Sequence, residues 1–232
     1  MFYYGLDFYY IVLVLPAVAL ALFAQFHVKS TFARYSKTMS MSGLTGADAA
    51  RLVLSANGVY GVQIMRVSGE LTDHFDPKTN VIRLSDSVYA SGSAAAIGVA
   101  AHEAGHAVQH ASDYFPIRLR SAIIPVCQIG SNLAMPLILL GFIFGAAGLC
   151  ELGVMAFALS TVFQVVTLPV EFNASSRAMD ALRGCGRMSD TDLAAARKTL
   201  TAAALTYVAA LAVSLANLLR LYLLVNGGKR RR

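Results

Sequence analysis

AIGVAAHEAGHAVQ, residues 96–109, is the stretch of sequence on which the interpretation of this chain depends. The preceding Ser91-Gly92-Ser93 is typical of a helix start, and the run of small and apolar residues behind it predicts a helix. This helix can continue through Ala111 but must end before Pro116, because proline lacks the backbone N–H that a helix interior needs. The sequence therefore predicts one helix of about five turns with a histidine-rich middle.

Two histidines on this helix are spaced as ligands of one metal ion. His102 and His106 are four residues apart, so both imidazoles lie on one helix face and can point at the same ion. Glu103 lies next to that face, where a carboxylate can take a proton from a zinc-activated water. Chance histidines are the alternative, but the chain contains only five histidines. We therefore predict zinc ligands at His102 and His106 and a general base at Glu103.

A catalytic zinc takes three protein ligands, so one more must come from elsewhere. The extended motif HExxHxxGxxH is excluded, because Gln109 and Ser112 stand where it needs glycine and histidine. His110 lies about 12 Å along the helix from His102, which is too far to share the ion. We expect His110 to be solvated or to support a ligand from behind.

Two glutamates follow the motif, Glu151 and Glu171. Glu151 falls in the turn of a predicted membrane hairpin, on the opposite side of the membrane from the histidines. Glu171 follows Leu168-Pro169-Val170 at the end of that hairpin, on the same side as the motif, and is predicted to begin a helix. We expect Glu171 to be the third ligand; a favourable charge at the positive end of a helix dipole is the alternative.

The composition indicates that lipid surrounds part of the chain. Of 232 residues, 56% are hydrophobic and 14% charged, and the mean hydropathy is +0.58, whereas a soluble domain carries about 25% charged residues. Apolar runs of spanning length lie at 8–26, at 123–170, which suits two spans joined near 148–151, and at 201–225. We expect the last run to cross the membrane, but the basic cluster at 229–232 leaves an interfacial or re-entrant helix as an alternative.

The positive charges around the spans predict the orientation. No basic residue precedes the first span, whereas Lys29, Arg34 and Lys37 follow it. This pattern favours an uncleaved anchor over a signal peptide and places the region behind it in the cytoplasm. Basic residues also flank both ends of the hairpin. We therefore expect a multi-pass protein of the cell inner (plasma) membrane with its active site facing the cytoplasm.

The region between the first and second spans has the pattern of a small mixed domain. A helix is predicted at 47–55 with Thr45 as a possible N-cap, followed by short strands near 62–67, 71–75 and 81–84. The expected fold class is α+β, a mostly helical integral membrane protein with about four transmembrane helices and a short β-sheet. We expect five segments: an N-terminal transmembrane anchor (1–28), a peptidase region with the motif helix (29–120), a transmembrane hairpin (121–170), a cytoplasmic helical segment with the third ligand (171–200), and a C-terminal transmembrane helix with a basic tail (201–232).

The sequence disfavours a nucleic-acid-binding protein and a protein built on disulfides or on a cysteine metal site. The net charge of +6 comes from basic residues that flank apolar runs, and no motif combines aromatic with basic residues, so no nucleic-acid partner is expected. Cys127, Cys150 and Cys185 are an odd number without CxxC spacing, which argues against a disulfide framework or a thiolate metal site.

Four stretches resemble those of the YugP-type neutral zinc metallopeptidases, bacterial membrane proteins of the wider gluzincin group that includes HtpX-type and CaaX prenyl proteases. They are LTDHFDP (71–77), IRLS (82–85), AIGVAAHEAGHAVQ (96–109) and LPVEFNAS (168–175). The resemblance covers nearly the whole chain and implies zinc on His102, His106 and Glu171, with Glu103 as general base. It also implies that Val81 to Ser85 is an edge strand to which an extended peptide adds.

One position departs from the wider group. HtpX-type enzymes have aspartate four residues after the ligand glutamate, where this chain has Ser175, so the group that orients the first histidine is left open. The residue that stabilises the oxyanion is also unassigned. His74 is a candidate by residue type, and a structural role in the turn-rich DHFDP run is the alternative.

The sequence thus predicts a membrane-bound zinc-dependent endopeptidase of the HExxH gluzincin type with one zinc per chain. Its expected partners are the lipid bilayer and protein or peptide substrates, membrane proteins among them. One alternative is a non-enzymatic metal-binding membrane scaffold or transporter subunit. The other is a site-two-type intramembrane protease, which would need an aspartate ligand inside a later apolar run, and none occurs there.

Overall fold

The computed structural model describes residues 7–229 and is mostly helical. A short π-helical stretch at Tyr10–Val14 leads into the first long helix. The elements that follow are, in chain order, α1 (Leu15–Tyr35), α2 (Gly46–Ala56), β1 (Gln63–Val67), β2 (His74–Asp76), β3 (Val81–Ser85), α3 (Asp86–Tyr89), α4 (Ala94–Ala111), α5 (Phe115–Ile143), α6 (Ala147–Gly184) and α7 (Asp190–Lys229). The predicted α+β class is confirmed. The basic tail beyond residue 229 and the segment before residue 7 lie outside the described residues.

Four helices are long and apolar enough to cross a membrane, as expected. They are Tyr10–Tyr35, Phe115–Ile143, Ala147–Gly184 and Asp190–Gly227. The described residues divide into two compact units. The apolar unit comprises 7–24, 119–168 and 206–229, and the site unit comprises 25–118 and 169–205.

The hairpin of the apolar unit turns earlier than predicted. Helix α5 ends at Ile143 and α6 begins at Ala147, so the turn predicted at 148–151 is wrong and Glu151 lies within α6. Gly145 has a φ of 63°, a left-handed conformation that glycine adopts readily. The chain reverses at the glycine that can take this conformation, not at the later charged residue.

Two polar contacts hold the helices of the apolar unit together. Asp7 forms an ion pair of 2.6 Å with Arg220, whose guanidinium also lies over the ring of Tyr10. The hydroxyls of Thr161 in α6 and Ser214 in α7 are 2.8 Å apart. The start of the first span therefore lies beside the C-terminal part of α7.

The sheet of the site unit has the strand order β1-β3-β2. β3 pairs in parallel with β1 and in antiparallel with β2. Val81–Ser85 is therefore the central strand, and the expectation that it is an open edge is wrong. Ile82 and Leu84 are fully buried on one face of this strand, and Val81 and Ser85 are buried on the other, as is typical of a strand covered on both faces. The free edges of the sheet belong to β1 and β2.

The strand predicted at 71–75 begins later in the structure. Leu71 has a φ of 55°, which interrupts extended backbone, and β2 covers only His74–Asp76. Asp76 then accepts hydrogen bonds from the Lys78 N–H and the Thr79 hydroxyl, at 2.9 and 2.7 Å. This local bonding forms the turn into β3.

Helices α2 and α4 begin where the sequence predicts. Thr45 caps α2 in a reciprocal capping box with Asp48, and the Ser93 side chain accepts a hydrogen bond from the Ala96 N–H at the start of α4. The alanine-rich faces of α4 pack in one apolar core with α2, β3 and the part of α6 behind residue 169. Helix α4 is therefore fixed along its length by the core.

Candidate metal centre

Helix α4 holds His102 and His106 on one face, each with a small exposed fraction. Gly105, between them, lies against the backbone of α6, where an added Cβ would come within 2.5 Å of the Ala174 carbonyl oxygen. The absence of a side chain at this position therefore allows α6 to approach the histidine face of α4 closely.

Helix α6 delivers Glu171 from its interior, since it runs without a break from Ala147 to Gly184. The expectation that Glu171 begins a helix is wrong. Pro169 lies inside this helix, and because proline has no backbone N–H, one helical hydrogen bond is missing there. The alternative of a charge placed at a helix N-terminus is thereby removed, because that effect is confined to the first turn.

The three side chains converge on one point. The Glu171 Oε2 atom lies 3.3 Å from His102 Nε2 and 3.5 Å from His106 Nε2. Among the described residues this is the group of histidine and acidic side chains that could hold a metal ion, with ligand atoms within 4.8 Å of one another.

The geometry of these atoms fits zinc. Zinc bonds of about 2.0–2.2 Å in a tetrahedral arrangement put neighbouring ligand atoms about 3.3–3.6 Å apart, and the two measured nitrogen–oxygen distances lie in that range. Two imidazole nitrogens and one carboxylate oxygen are also a ligand set of catalytic zinc sites. That His102, His106 and Glu171 bind the ion stays a prediction.

The electrostatics of the site favour a positive charge. Burial lowers the pKa of His106, but the hydrogen bond with Glu171 and the negative charges of Glu103 and Glu171 outweigh this effect, and the pKa is raised overall. The carboxylates that hold a proton on this imidazole can hold a divalent cation in its place.

Glu103 is held beside the cluster by β2. Its Oε2 atom accepts a hydrogen bond of 3.1 Å from the Phe75 backbone N–H. Phe75 stands opposite Ile82 in the antiparallel pair, and because its N–H points to Glu103, its carbonyl also points away from β3. The outer edge of β2 therefore faces the predicted general base.

Asp73 fixes the segment that leads into β2. Its carboxylate accepts hydrogen bonds from the Ser85 N–H at 2.7 Å and from the Ser85 hydroxyl at 3.0 Å. Burial raises the pKa of Asp73, and the charge of Glu103 adds to this effect, although the bonds from Ser85 oppose it. The segment is thus tied to the end of β3 close to the site.

Each histidine has a polar partner on its second ring nitrogen. His102 Nδ1 lies 3.0 Å from the Ser175 hydroxyl, which is therefore the polar partner of this ring that the sequence left open. His106 Nδ1 lies 3.0 Å from Gln109 Oε1. This contact was not predicted, although a residue three positions after His106 shares its helix face.

The other sequence candidates lie apart from the cluster. His110 is exposed, and its ring meets that of Phe75 edge to face, so it is solvated as expected. His74 is exposed on β2, where its Nδ1 atom lies 2.8 Å from the Thr72 carbonyl oxygen. Glu151 belongs to the apolar unit.

Two comparisons with known proteins show the family of this chain. Residues 10–226 match the family described as "Putative neutral zinc metallopeptidase". The chain is also 46% identical over 220 residues to "Putative membrane protease YugP" of Bacillus subtilis (strain 168), covering 95% of this chain and 98% of that protein. No solved structure matches the chain.

Proposed function

The chain belongs to the family of neutral zinc metallopeptidases, and from this premise we propose that it is a membrane-bound, zinc-dependent endopeptidase of the HExxH gluzincin type. In this proposal His102, His106 and Glu171 hold one zinc ion per chain, and Glu103 is the general base. The observation that carries the proposal is the convergence of both Nε2 atoms on the Glu171 carboxylate, at 3.3 and 3.5 Å.

The proposed chemistry divides between the ion and Glu103. When bound, zinc supplies Lewis acidity, which polarises the scissile carbonyl and makes water acidic enough to lose a proton near neutral pH. Glu103 takes that proton and then delivers it to the leaving amine. The hydrogen bond from the Phe75 N–H to the Glu103 carboxylate supports this proposal, because it fixes the position of the carboxylate.

The outer edge of β2 is the proposed docking site for the substrate backbone. Phe75 directs its carbonyl away from β3, toward the side on which Glu103 lies. An extended peptide that pairs with this edge would pass beside the general base. Proteins and peptides, membrane proteins among them, are the proposed substrates.

The proposed location is the cell inner (plasma) membrane, with the site on the cytoplasmic face. The support comes from the four helices of spanning length and from the basic residues at 29, 34 and 37 behind the first span.

Substitution of the general base tests the proposed function. Glu103→Gln, purified in detergent, should hydrolyse an unfolded, fluorescently labelled casein about a hundredfold to ten-thousandfold more slowly than wild type, and should still bind zinc. Glu70→Gln is the matched control, because Glu70 is exposed on the surface of the site unit. Full hydrolysis by Glu103→Gln would overturn the role of Glu103 as general base. A wild-type protein that binds zinc without cleaving would favour the metal-binding scaffold instead.

A further inference from the structure

A chain of polar side chains lies behind His106 and connects α4 with α6. Gln109, which is fully buried, has its Nε2 atom 2.8 Å from the Val170 carbonyl oxygen and 3.0 Å from Asn173 Oδ1. The Arg177 Nε atom lies 2.8 Å from the same Asn173 oxygen. The Arg177 guanidinium in turn lies over the ring of Tyr114.

Arg177 determines which way the amide of Asn173 faces. A guanidinium has only donors, so the Asn173 atom that meets Arg177 Nε must be the carbonyl oxygen. The same oxygen faces Gln109, so the Gln109 atom that meets it must be the NH₂ group.

The backbone of α6 gives the same answer independently. The Val170 carbonyl oxygen accepts hydrogen bonds and cannot donate them. If the Gln109 amide were reversed, its oxygen would face two acceptors inside a buried site, which is strongly unfavourable. The Oε1 atom of Gln109 therefore points at His106.

The orientation of Gln109 determines the form of the His106 ring. An amide oxygen only accepts, so the His106 Nδ1 atom, 3.0 Å away, must carry a hydrogen. In a neutral imidazole the Nε2 atom then has the lone pair. This is the nitrogen that lies 3.5 Å from the Glu171 carboxylate.

We propose that Gln109 is a positioning residue that keeps the proton of His106 on Nδ1 and so presents the Nε2 lone pair to the metal, with Asn173 and Arg177 fixing Gln109. The inference rests on the proposed function for the identity of the ion as zinc. The orientation of the three side chains follows from their own donors and acceptors.

The two histidines differ in this respect. Ser175, the partner of His102, has a hydroxyl that can donate or accept. It can orient the ring of His102 but does not impose one tautomer. Gln109 therefore selects one tautomer of His106, whereas Ser175 does not select one for His102.

Nuclear magnetic resonance on the zinc-free protein tests the tautomer directly. The experiment uses full-length protein with ¹⁵N-labelled histidine in a Glu171→Ala background, because the Glu171 carboxylate faces Nε2 and would compete for the proton. At alkaline pH, where the ring is neutral, His106 should show a protonated Nδ1 and an unprotonated Nε2. Gln109→Met keeps the length of the side chain but removes the acceptor, and should shift population toward the Nε2-protonated form. Gln63→Met on β1, where Gln63 is exposed, is the control and should leave the His106 signals unchanged. A His106 ring with its proton on Nε2 in Glu171→Ala, where Gln109 is intact, would overturn the proposal.

Zinc affinity gives a second readout. In competition with a chelator, Gln109→Met should bind zinc about 10–100-fold more weakly than wild type, whereas Gln63→Met should bind normally. Asn173→Leu, on a partly exposed residue, should weaken binding in the same direction even if Gln109→Met does not fold. Asn173→Asp keeps an acceptor for both Gln109 and Arg177, and this variant should therefore retain the zinc affinity of wild type. Unchanged affinity in both Gln109→Met and Asn173→Leu would contradict the proposal.

The two measurements separate this inference from the proposed function. If wild type bound no zinc, the proposed function would fail, while the tautomer of zinc-free His106 would still decide the role of Gln109. If wild type bound zinc and cleaved substrate but His106 carried its proton on Nε2, only the role of Gln109 would fail.

Discussion

At the scale of single residues, the site depends on the polar partner of the Nδ1 atom of each histidine. Ser175 contacts His102 at 3.0 Å, and Gln109 contacts His106 at the same distance. Such partners fix the ring that binds a metal, and their loss typically lowers metal affinity about 10–100-fold. The two partners come from different helices, α6 and α4.

Substitution of the serine should weaken the site without emptying it. We expect Ser175→Ala to bind zinc about tenfold more weakly than wild type, because the His102 ring loses its partner. Ser175→Asp should retain wild-type affinity, since a carboxylate can accept from Nδ1. Ser176→Ala is the matched control, because Ser176 is an exposed neighbour. Equal affinity of Ser175→Ala and Ser176→Ala, measured by chelator competition, would contradict this role.

The sequence predicts some of these residues better than others. Helical spacing is enough to pair His102 with His106, and the place of Glu171 behind the last hairpin residue correctly indicated that it comes near them. The contacts of Gln109 with Val170 and Asn173 could not be predicted, because they depend on the packing of α6 against α4. A long-range contact of this kind leaves no periodic pattern in the sequence.

At the scale of elements, the approach of α6 to α4 determines the position of the third ligand. The helix start predicted at Glu171 was wrong, because the helix of the predicted span does not end before Glu171 but continues to Gly184. The order of the strands in the sheet could not be predicted from the sequence either. Local β-patterns locate strands but do not show which one lies at the centre.

The contact at Gly105 gives a prediction for this scale. Gly105→Ala should lower the free energy of unfolding by about 1–3 kcal/mol, because the new methyl group would collide with the Ala174 carbonyl. It should also weaken zinc binding, because the methyl group would push α6 away from α4 and so move Glu171 away from the histidines. Gly184→Ala is the control, because a Cβ there meets no atom within 4 Å. Thermal unfolding in detergent and chelator competition would show the difference, and equal behaviour of the two variants would contradict the account.

At the scale of the whole molecule, the contact between Asp7 and Arg220 bears on the path of α7 through the membrane. The sequence left open whether the last apolar run crosses the membrane or lies in its interface. In the structure the C-terminal part of α7 lies beside the start of the first span. We therefore expect α7 to cross the membrane and to end on the side where the first span begins.

Cysteine labelling tests this topology. Single cysteines at Phe8 and Gly227, both exposed positions, should react with a membrane-impermeant maleimide from the same side of the membrane. A cysteine at Glu70 should react from the opposite side, because one span separates it from residue 8. If Gly227→Cys were labelled from the same side of the membrane as Glu70→Cys, α7 would not cross the membrane.

The zinc content of the purified protein is the most direct test of the whole account. Wild type should bind about one zinc ion per chain, and Glu103→Gln should match it because Glu103 is not a proposed ligand. Glu171→Ala should bind zinc far more weakly, since it loses the carboxylate on which both imidazoles converge. Glu171→Ala with the zinc affinity of wild type would contradict the assignment of the metal centre.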